Sequence, residues 1–512
     1  VQSAFLRVGD ISQYSDNELH NANEWLIVTN MPIINHKNMI SKLISTKPVD
    51  VLIGSFIWDL EYSSNLLLEF QELLEIGEIE SYSPMLIKNH EIRYIPNDPD
   101  FSEQWHLQNT GQTNGGLTGE DINITGVWNS YNGSGVVISV VDDGLDHEHP
   151  DIEDHYSSAY SYDWCNDDSD PTPQPNNGHG TSAGGVAAAV GDNGIDVTGA
   201  GYGATLAGST LIACGTSDQM EADALIFQME HIDIYTNSWG PSDDGQTLES
   251  PGPITLAAFE NAAYNGRSGL GNIYTWAAGN GLESDDNANY DGYANSRFTI
   301  AVTAITHTGE QSYYAEPGAN ILLAAHSNGD GEGITTTDIE GSGGYDNGDV
   351  TNDFGGTSSA TPLVAGVIAL ILEANENLTW RDIQHILVQS SRVNDPSDDS
   401  WETNGAGHNV SHKYGFGVVD AGAAVSLAEN WTNVDAETNF SFGTNNPFTD
   451  IPDNNDNWTE FSMNVTTDIK IESIDIITDI THTSRGDLDI VLVAPSGKES
   501  WLAETRGDNG NG

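Results

Sequence analysis

The stretch GGTSSATPLVAGVIALILEAN, from Gly355 to Asn375, constrains the fold more than any other part of the chain. It opens with small and hydroxyl residues and then runs through roughly fourteen largely apolar positions. Pro362 is expected in the first helical turn, where its missing N–H has no partner in any case. The run is too short to span a bilayer and is hydrophobic on every side, so it predicts a helix buried in a core. Ser358 then stands at the helix N-terminus, where the positive end of the dipole stabilises a developing anion. A serine-rich N-cap on an ordinary core helix would look the same. The functional reading therefore depends on what the rest of the chain supplies.

The chain has 512 residues, enough for two to four domains. Lys and Arg total 15 against 77 Asp and Glu, a net charge of −62. That balance argues against nucleic acid and against anionic membrane surfaces as partners. It fits cationic partners or a saline habitat, where salt screens self-repulsion. It also makes single carboxylate matches uninformative. Cys165 and Cys214 can form one disulfide or remain two free thiols, and their spacing suggests no zinc site. No run of eighteen apolar residues occurs, so no transmembrane helix is expected within these residues. The sequence starts without Met or a charged-then-apolar leader; the expectation is a secreted or cell-surface protein whose signal peptide was removed before this numbering starts.

Residues 1–20 are polar and aperiodic and read as an arm. Over 21–95, EWLIVTN reads as a strand, HKNMISKLIST as a short helix and VDVLIGSFIWDLEY as one or two strands. NLLLEFQELLEI then reads as a helix and IESYSPMLI as a strand. This β-α-β-β-α-β order is the ferredoxin-like plan. Pro96 to Pro99 mark a boundary. Over 96–434, apolar strands such as GVVISVVDDG, HIDIYTNSWG and GNIYTWAAGNG alternate with helices, which implies an α/β domain with a parallel sheet. Ligands of such sheets sit beyond the carboxyl ends of the strands, and Asp142, Ser238 and Asn280 all fall there. Over 435–512, FSMNVTTDIKIESIDIITDITHT and DLDIVLVAPSG read as an all-β module, short for a two-sheet sandwich and so expected to be incomplete.

Asp142, His179 and Ser358 occur in the chain order of the subtilisin-type triad. Ser358 needs a base within hydrogen-bond reach, and His179, in GHGTSAGG, is the candidate. Asp142 would fix the imidazole tautomer and stabilise the imidazolium. Asn280, in AAGNG, would donate its amide to the oxyanion beside the Ser358 backbone N–H.

These motifs, with SWGPSDDG, LTWRDIQHILVQSS and SHKYGFGVVDAG, resemble a subtilisin-fold serine endopeptidase of the kexin/furin, or proprotein convertase, branch. HTSRGDLDIVLVAPSG resembles the start of the P-domain that follows such catalytic domains. The resemblance implies that the N-terminal unit is a propeptide acting as intramolecular inhibitor and folding aid. It implies cleavage of proteins or peptides after basic residues. Asp291 would floor the primary pocket with Asp243 beside it, and Asp143 would face the residue two before the scissile bond. Glu221, Glu249 and Tyr293 would receive the residue four before it, and Ser238, Trp239 and Gly240 would line the substrate cleft.

Calcium is the implied cofactor. Asp98, Asp151 and Asn193, with the carbonyls of Val190 and Ile195, match one site of the family. Asp243, Asp286 and Glu316 match a second site, and Asp163, Asp168 and Asp170 a third; oxygen-only ligands suit a hard cation. The sequence also departs from the family. HGTRCAGE reads HGTSAGGV, the family's disulfide cysteines are absent, and Asn176 stands where an acid helps bind the second basic residue. Only Lys88 and Arg93 are basic near the propeptide junction, so one basic residue before the scissile bond is expected to suffice. The competing readings are a broad-specificity subtilase and an inactive protease fold used for binding.

Overall fold

The computed structural model describes residues 22–29, 36, 40, 42–49, 54–61, 66–85, 94–443, 451, 458–466, 470–508 and 510. The expected arm at 1–20, and Lys88 and Arg93, lie outside these residues. The chain divides into two units, Val1–Ile92 and Arg93–Gly512.

In the first unit, strands β1 (Glu24–Val28), β2 (Leu43–Pro48) and β3 (Ser55–Leu60) precede helix α1 (Leu66–Glu75) and strand β4 (Ser81–Pro84). The strands form one antiparallel sheet in the order β2-β3-β1-β4. That strand order is the one the ferredoxin-like plan gives, while most of the first helix expected between β1 and β2 lies outside the described residues. Alternation along β1 buries Trp25 and Ile27, and α1 covers them with Phe70, whose ring lies 5.0 Å from Trp25 and 4.9 Å from Tyr82. The helix expected over HKNMISKLIST is corrected at its end. Leu43 to Thr46 belong to β2, because pairing with β3 from Leu43–Leu60 to Pro48–Phe56 satisfies their backbone groups and suits the β-branched Ile44 and Thr46.

The second unit is built on a seven-stranded parallel sheet. Its chain order is β5 (Val137–Asp142), β6 (Tyr162–Asp163), α2 (His179–Ala188), β7 (Thr205–Thr210), α3 (Asp218–Ile226), β8 (Ile234–Asn237), α4 (Pro253–Gly269), β9 (Ile273–Ala277), β10 (Thr299–Ile305) and β11 (Leu323–His326). A hairpin of β12 (Ile334–Thr337) and β13 (Val350–Phe354), then α5 (Thr357–Ala374), α6 (Trp380–Ser390) and α7 (Ala421–Ala428), follow. The sheet runs β11-β10-β9-β8-β5-β7-β6, with every neighbouring pair parallel. From β5 the chain builds outward through β7 on one side and later through β8 on the other. The β5/β8 junction is therefore the topological switch point, where a crevice opens at the strand ends.

Helix α5 is long and apolar enough to cross a bilayer by length and composition, yet it is encased in protein from Thr357 to Leu372. It begins earlier than expected, so Pro362 is its sixth residue rather than part of the first turn. The proline cannot donate to the Ser358 carbonyl one turn back. The Ser238 hydroxyl takes that carbonyl instead, at 3.1 Å.

The cysteines are joined as Cys165–Cys214, tying the loop after β6 to the loop after β7. Near the C-terminus, Ile490–Val493 pairs antiparallel with Glu499–Ala503. The strands expected over Phe461–Thr483 do not form among the described residues. Ile471, Ile474 and Ile477 are exposed there, the last at 96%. An alternating segment without a neighbouring ladder or a facing layer does not hold strand geometry.

Candidate active site

Three element ends converge at the switch point. Asp142 closes β5, His179 opens α2, and Ser358 is the second residue of α5. The His179 Nδ1 lies 2.8 Å and 3.0 Å from the two Asp142 carboxylate oxygens. Small residues permit this: a Cβ on Gly180 would fall 2.1 Å from the Gly144 carbonyl and 2.8 Å from the Asp142 Cβ. Asp143 lies alongside, its Oδ1 accepting the Gly180 N–H at 2.8 Å. Burial disfavours the imidazolium, but Asp142, aided by Asp143, outweighs it and pushes His179 up to about 9. Burial and the neighbouring Asp142 push Asp143 up to about 6.

The Ser358 side chain is mostly buried and its hydroxyl donates to the Ser238 carbonyl at 3.4 Å. Among the described residues no hydrogen bond joins it to the His179 ring. Asn280 is held in one orientation, because its Oδ1 accepts both the N–H (2.8 Å) and the hydroxyl (3.1 Å) of Thr357. Its amide donors are thereby on Nδ2. Among the described residues nothing accepts the Ser358 N–H, one of the orphan donors of a helix N-terminus.

Beside this lies an acidic pocket whose lining includes Asp243, Asp286, Asp291 and Glu316. Asp291 is fixed by the N–H groups of Tyr293 (2.7 Å) and Ala294 (3.3 Å), and burial pushes it up to about 7. Gly240 is required here, since a Cβ would lie 2.7 Å from the Asp291 Oδ2. Glu249 is exposed, with its backbone paired to Asp291. Glu221 is buried and committed, accepting the hydroxyls of Tyr293 and Thr216, each at 2.7 Å. Tyr293 packs against Trp239 and Trp276, each with ring centroids 5.2 Å away.

Among the described residues no three acidic, imidazole or thiol side chains are already arranged as a closed metal cage. The donor chemistry nonetheless fits a hard cation at two places. Asp98 and Asp151 are buried, and no Lys, Arg or His among the described residues pairs with either. Burial pushes Asp151 up to about 7. Asn193 Nδ2 donates to Asp151 at 2.8 Å, and no described donor reaches the Val190 or Ile195 carbonyl. At the second place, burial and then Asp286 and Asp243 push Glu316 up to about 9, the mark of uncompensated negative charge. In the third group the Asp163 and Asp168 backbones pair, and the Asp170 N–H donates to the Asp168 Oδ1 at 3.0 Å. Asp163 is occupied by the N–H groups of Cys165 and Asn166, while the exposed Asp170 accepts from Thr172.

The subtilase family profile matches residues 133–417, over half the chain. The chain belongs to the subtilase family. The proprotein convertase P-domain profile matches residues 471–512 of this subtilase. The PC3-like endoprotease variant B of Hydra vulgaris is 40% identical over 430 residues, covering 80% of this chain and 59% of that protein. Furin of Homo sapiens is 38% identical over 427 residues, covering 80% of this chain and 51% of that protein. The chain thus spans about half the length of the curated relatives it matches. The solved serine protease of Aeromonas sobria superposes with a TM-score of 0.68 at 25% identity, over 81% of this chain and 82% of that one.

Several residues that shape the subtilase site escape sequence reasoning. Phe354 stands edge-on to the His179 ring at 5.5 Å, and Thr357 orients Asn280. Both lie beside Ser358, and that adjacency was the only available signal. Ser327 and Asn328, which hold the Gly356 peptide, and Tyr314, which holds Asn328, lie too far away in sequence to give one.

Proposed function

We propose that the chain is a serine endopeptidase that cleaves polypeptides after an arginine or lysine, requires calcium, and is made as a secreted, self-processing zymogen inhibited by its N-terminal unit. The observation that carries the reading is the Asp142–His179 bond set beside Ser358 and Asn280, with an acidic pocket next to them.

The chemistry follows from the geometry. Rotation of the Ser358 side chain moves its hydroxyl from the Ser238 carbonyl to the free Nε2 of His179, as catalytic hydrogen bonds often tighten only with substrate bound. His179 takes the proton as the Ser358 oxygen attacks the scissile carbonyl carbon, and Asp142 stabilises the imidazolium. The Ser358 N–H and the Asn280 amide receive the oxyanion. His179 then passes its proton to the leaving amine. Water, deprotonated by the same imidazole, releases the acyl group and restores Ser358.

Specificity rests on Asp291, whose carboxylate suits a guanidinium or ammonium entering the pocket. Calcium held by Asp98, Asp151, Asn193 and the Val190 and Ile195 carbonyls, and by Asp243, Asp286 and Glu316, would neutralise buried carboxylates and stiffen their loops. The test is a peptide-library cleavage profile of wild type and Asp291→Ala in calcium. Cleavage after Arg or Lys, lost selectively in the variant, supports the proposal. Equal losses on basic and apolar substrates would mean broad specificity instead.

A further inference from the structure

Gly356, the N-cap of α5, has φ +73°, a conformation that favours glycine. Both polar groups of this residue are held by side chains from one distant segment. Its N–H donates to the Asn328 Oδ1 at 2.8 Å, and its carbonyl accepts the Ser327 hydroxyl at 2.6 Å. Asn328 is itself fixed. Tyr314 donates to its Oδ1 at 2.6 Å, and the Ser312 hydroxyl donates to its carbonyl at 2.9 Å. The Tyr314 and Ser327 hydroxyls lie 2.9 Å apart, and the Ser327 and Ser359 hydroxyls 2.6 Å apart. Gly355 lies so close that a Cβ there would fall 2.1 Å from the Asn328 Cγ.

The next donor along the chain, the Thr357 N–H, is taken by Asn280. The one after it, the Ser358 N–H, is left without an acceptor among the described residues. The network therefore holds the turn on which the second oxyanion donor is mounted. We propose that Asn328, steadied by Tyr314, is a positioning residue for peptide hydrolysis: by accepting the Gly356 N–H it fixes the turn that presents the Ser358 N–H beside the Asn280 amide. The inference rests on the endopeptidase reading and extends it to a residue that touches no reacting atom. Its effect belongs to kcat, because an oxyanion donor acts most on charge that develops in the transition state.

The test measures kcat and KM of the processed protein, each variant being freed of its N-terminal unit by wild-type enzyme where it does not process itself, in calcium, on a peptide with arginine before the scissile bond. The variants are Asn328→Ala, Asn328→Asp and Tyr314→Phe, with Asn328→Ala also combined with Asn280→Ala. Asn328→Ala should lower kcat about 10- to 100-fold with KM within about twofold. Asn328→Asp should recover most of the rate, since the contacts to Oδ1 from Gly356 and Tyr314 come from donors. In the Asn280→Ala background the same Asn328→Ala change should cost less than about threefold, because residues acting as one unit are not additive. Unchanged kcat, a loss confined to KM, an aspartate variant as slow as alanine, or equal losses in both backgrounds would each overturn the proposal. Should Asn328→Ala not fold, Tyr314→Phe carries the test, with a kcat loss supporting the proposal and none overturning it. A folded wild type without peptidase activity would instead overturn the endopeptidase reading on which it rests.

Discussion

Replacing Asp143 with Asn should move the acid limb of the pH–rate profile to lower pH. His179 must be neutral to accept the Ser358 proton, and Asp142 and Asp143 together hold its pKa at about 9 against the opposing effect of burial. For the free enzyme, kcat/KM should therefore rise tenfold per pH unit up to about pH 9. Removing the Asp143 charge leaves burial and Asp142, so the limb should fall by on the order of one pH unit. Activity at pH 7 should then increase several-fold. The assay is kcat/KM from about pH 6 to 11 on a peptide with Arg before the scissile bond and Ala before that, so that no basic residue needs Asp143. A limb that stays in place, or moves up, would refute the electrostatic reasoning. The same raised pKa fixes the sign of the stability effect. The Asp142–His179 pairing contributes stability fully below about pH 6.5, and this is lost as pH rises through about 9.

Asn280→Ala should lower kcat on the order of 10²–10³-fold with KM little changed, and steady-state kinetics would show it. A normal rate removes Asn280 from the oxyanion site. Gly240→Ala should impair arginine substrates more than apolar ones, because the added methyl meets the Asp291 carboxylate; equal effects on both would place Asp291 outside the pocket that binds the basic residue. Calcium at about 100 times its dissociation constant should stabilise the chain by about 2.7 kcal/mol, seen as a higher Tm than in chelator. Asp98→Asn should shrink that difference, and an unchanged difference would place the stabilising ion elsewhere.

The parallel sheet was legible because its strands, buried on both faces, read as apolar runs with Asp142, Ser238 and Asn280 at or just past their carboxyl ends. Ser358 was legible from the small, hydroxyl-rich start of the apolar helix that carries it. Three features were not, each for a physical reason. The helix start was misplaced because Pro362 suits a first turn by local rules, whereas tertiary contact with Ser238 makes a later position tolerable. Leu43 to Thr46 carry no strong strand signal alone and become a strand through pairing with β3. Alternation in DIKIESIDI suggested strands, yet that segment has no ladder among the described residues. Within the site, carboxylates were found by motif, but whether they converge depends on loop paths. Asp243, Asp286 and Glu316 share a pocket, while Asp163, Asp168 and Asp170 are joined along one loop by backbone contacts. Glu221 and Tyr293 bond to each other, a partnership that a spacing of 72 residues cannot reveal.

The most direct test of the central claim is intact and peptide mass spectrometry after exposing the processed wild-type protein, in calcium, to a fluorophosphonate. The account predicts a single adduct on Ser358, formed slowly or not at all when His179 is replaced by Ala. Labelling that ignores His179, or an adduct on any other serine with Ser358 untouched, would contradict it.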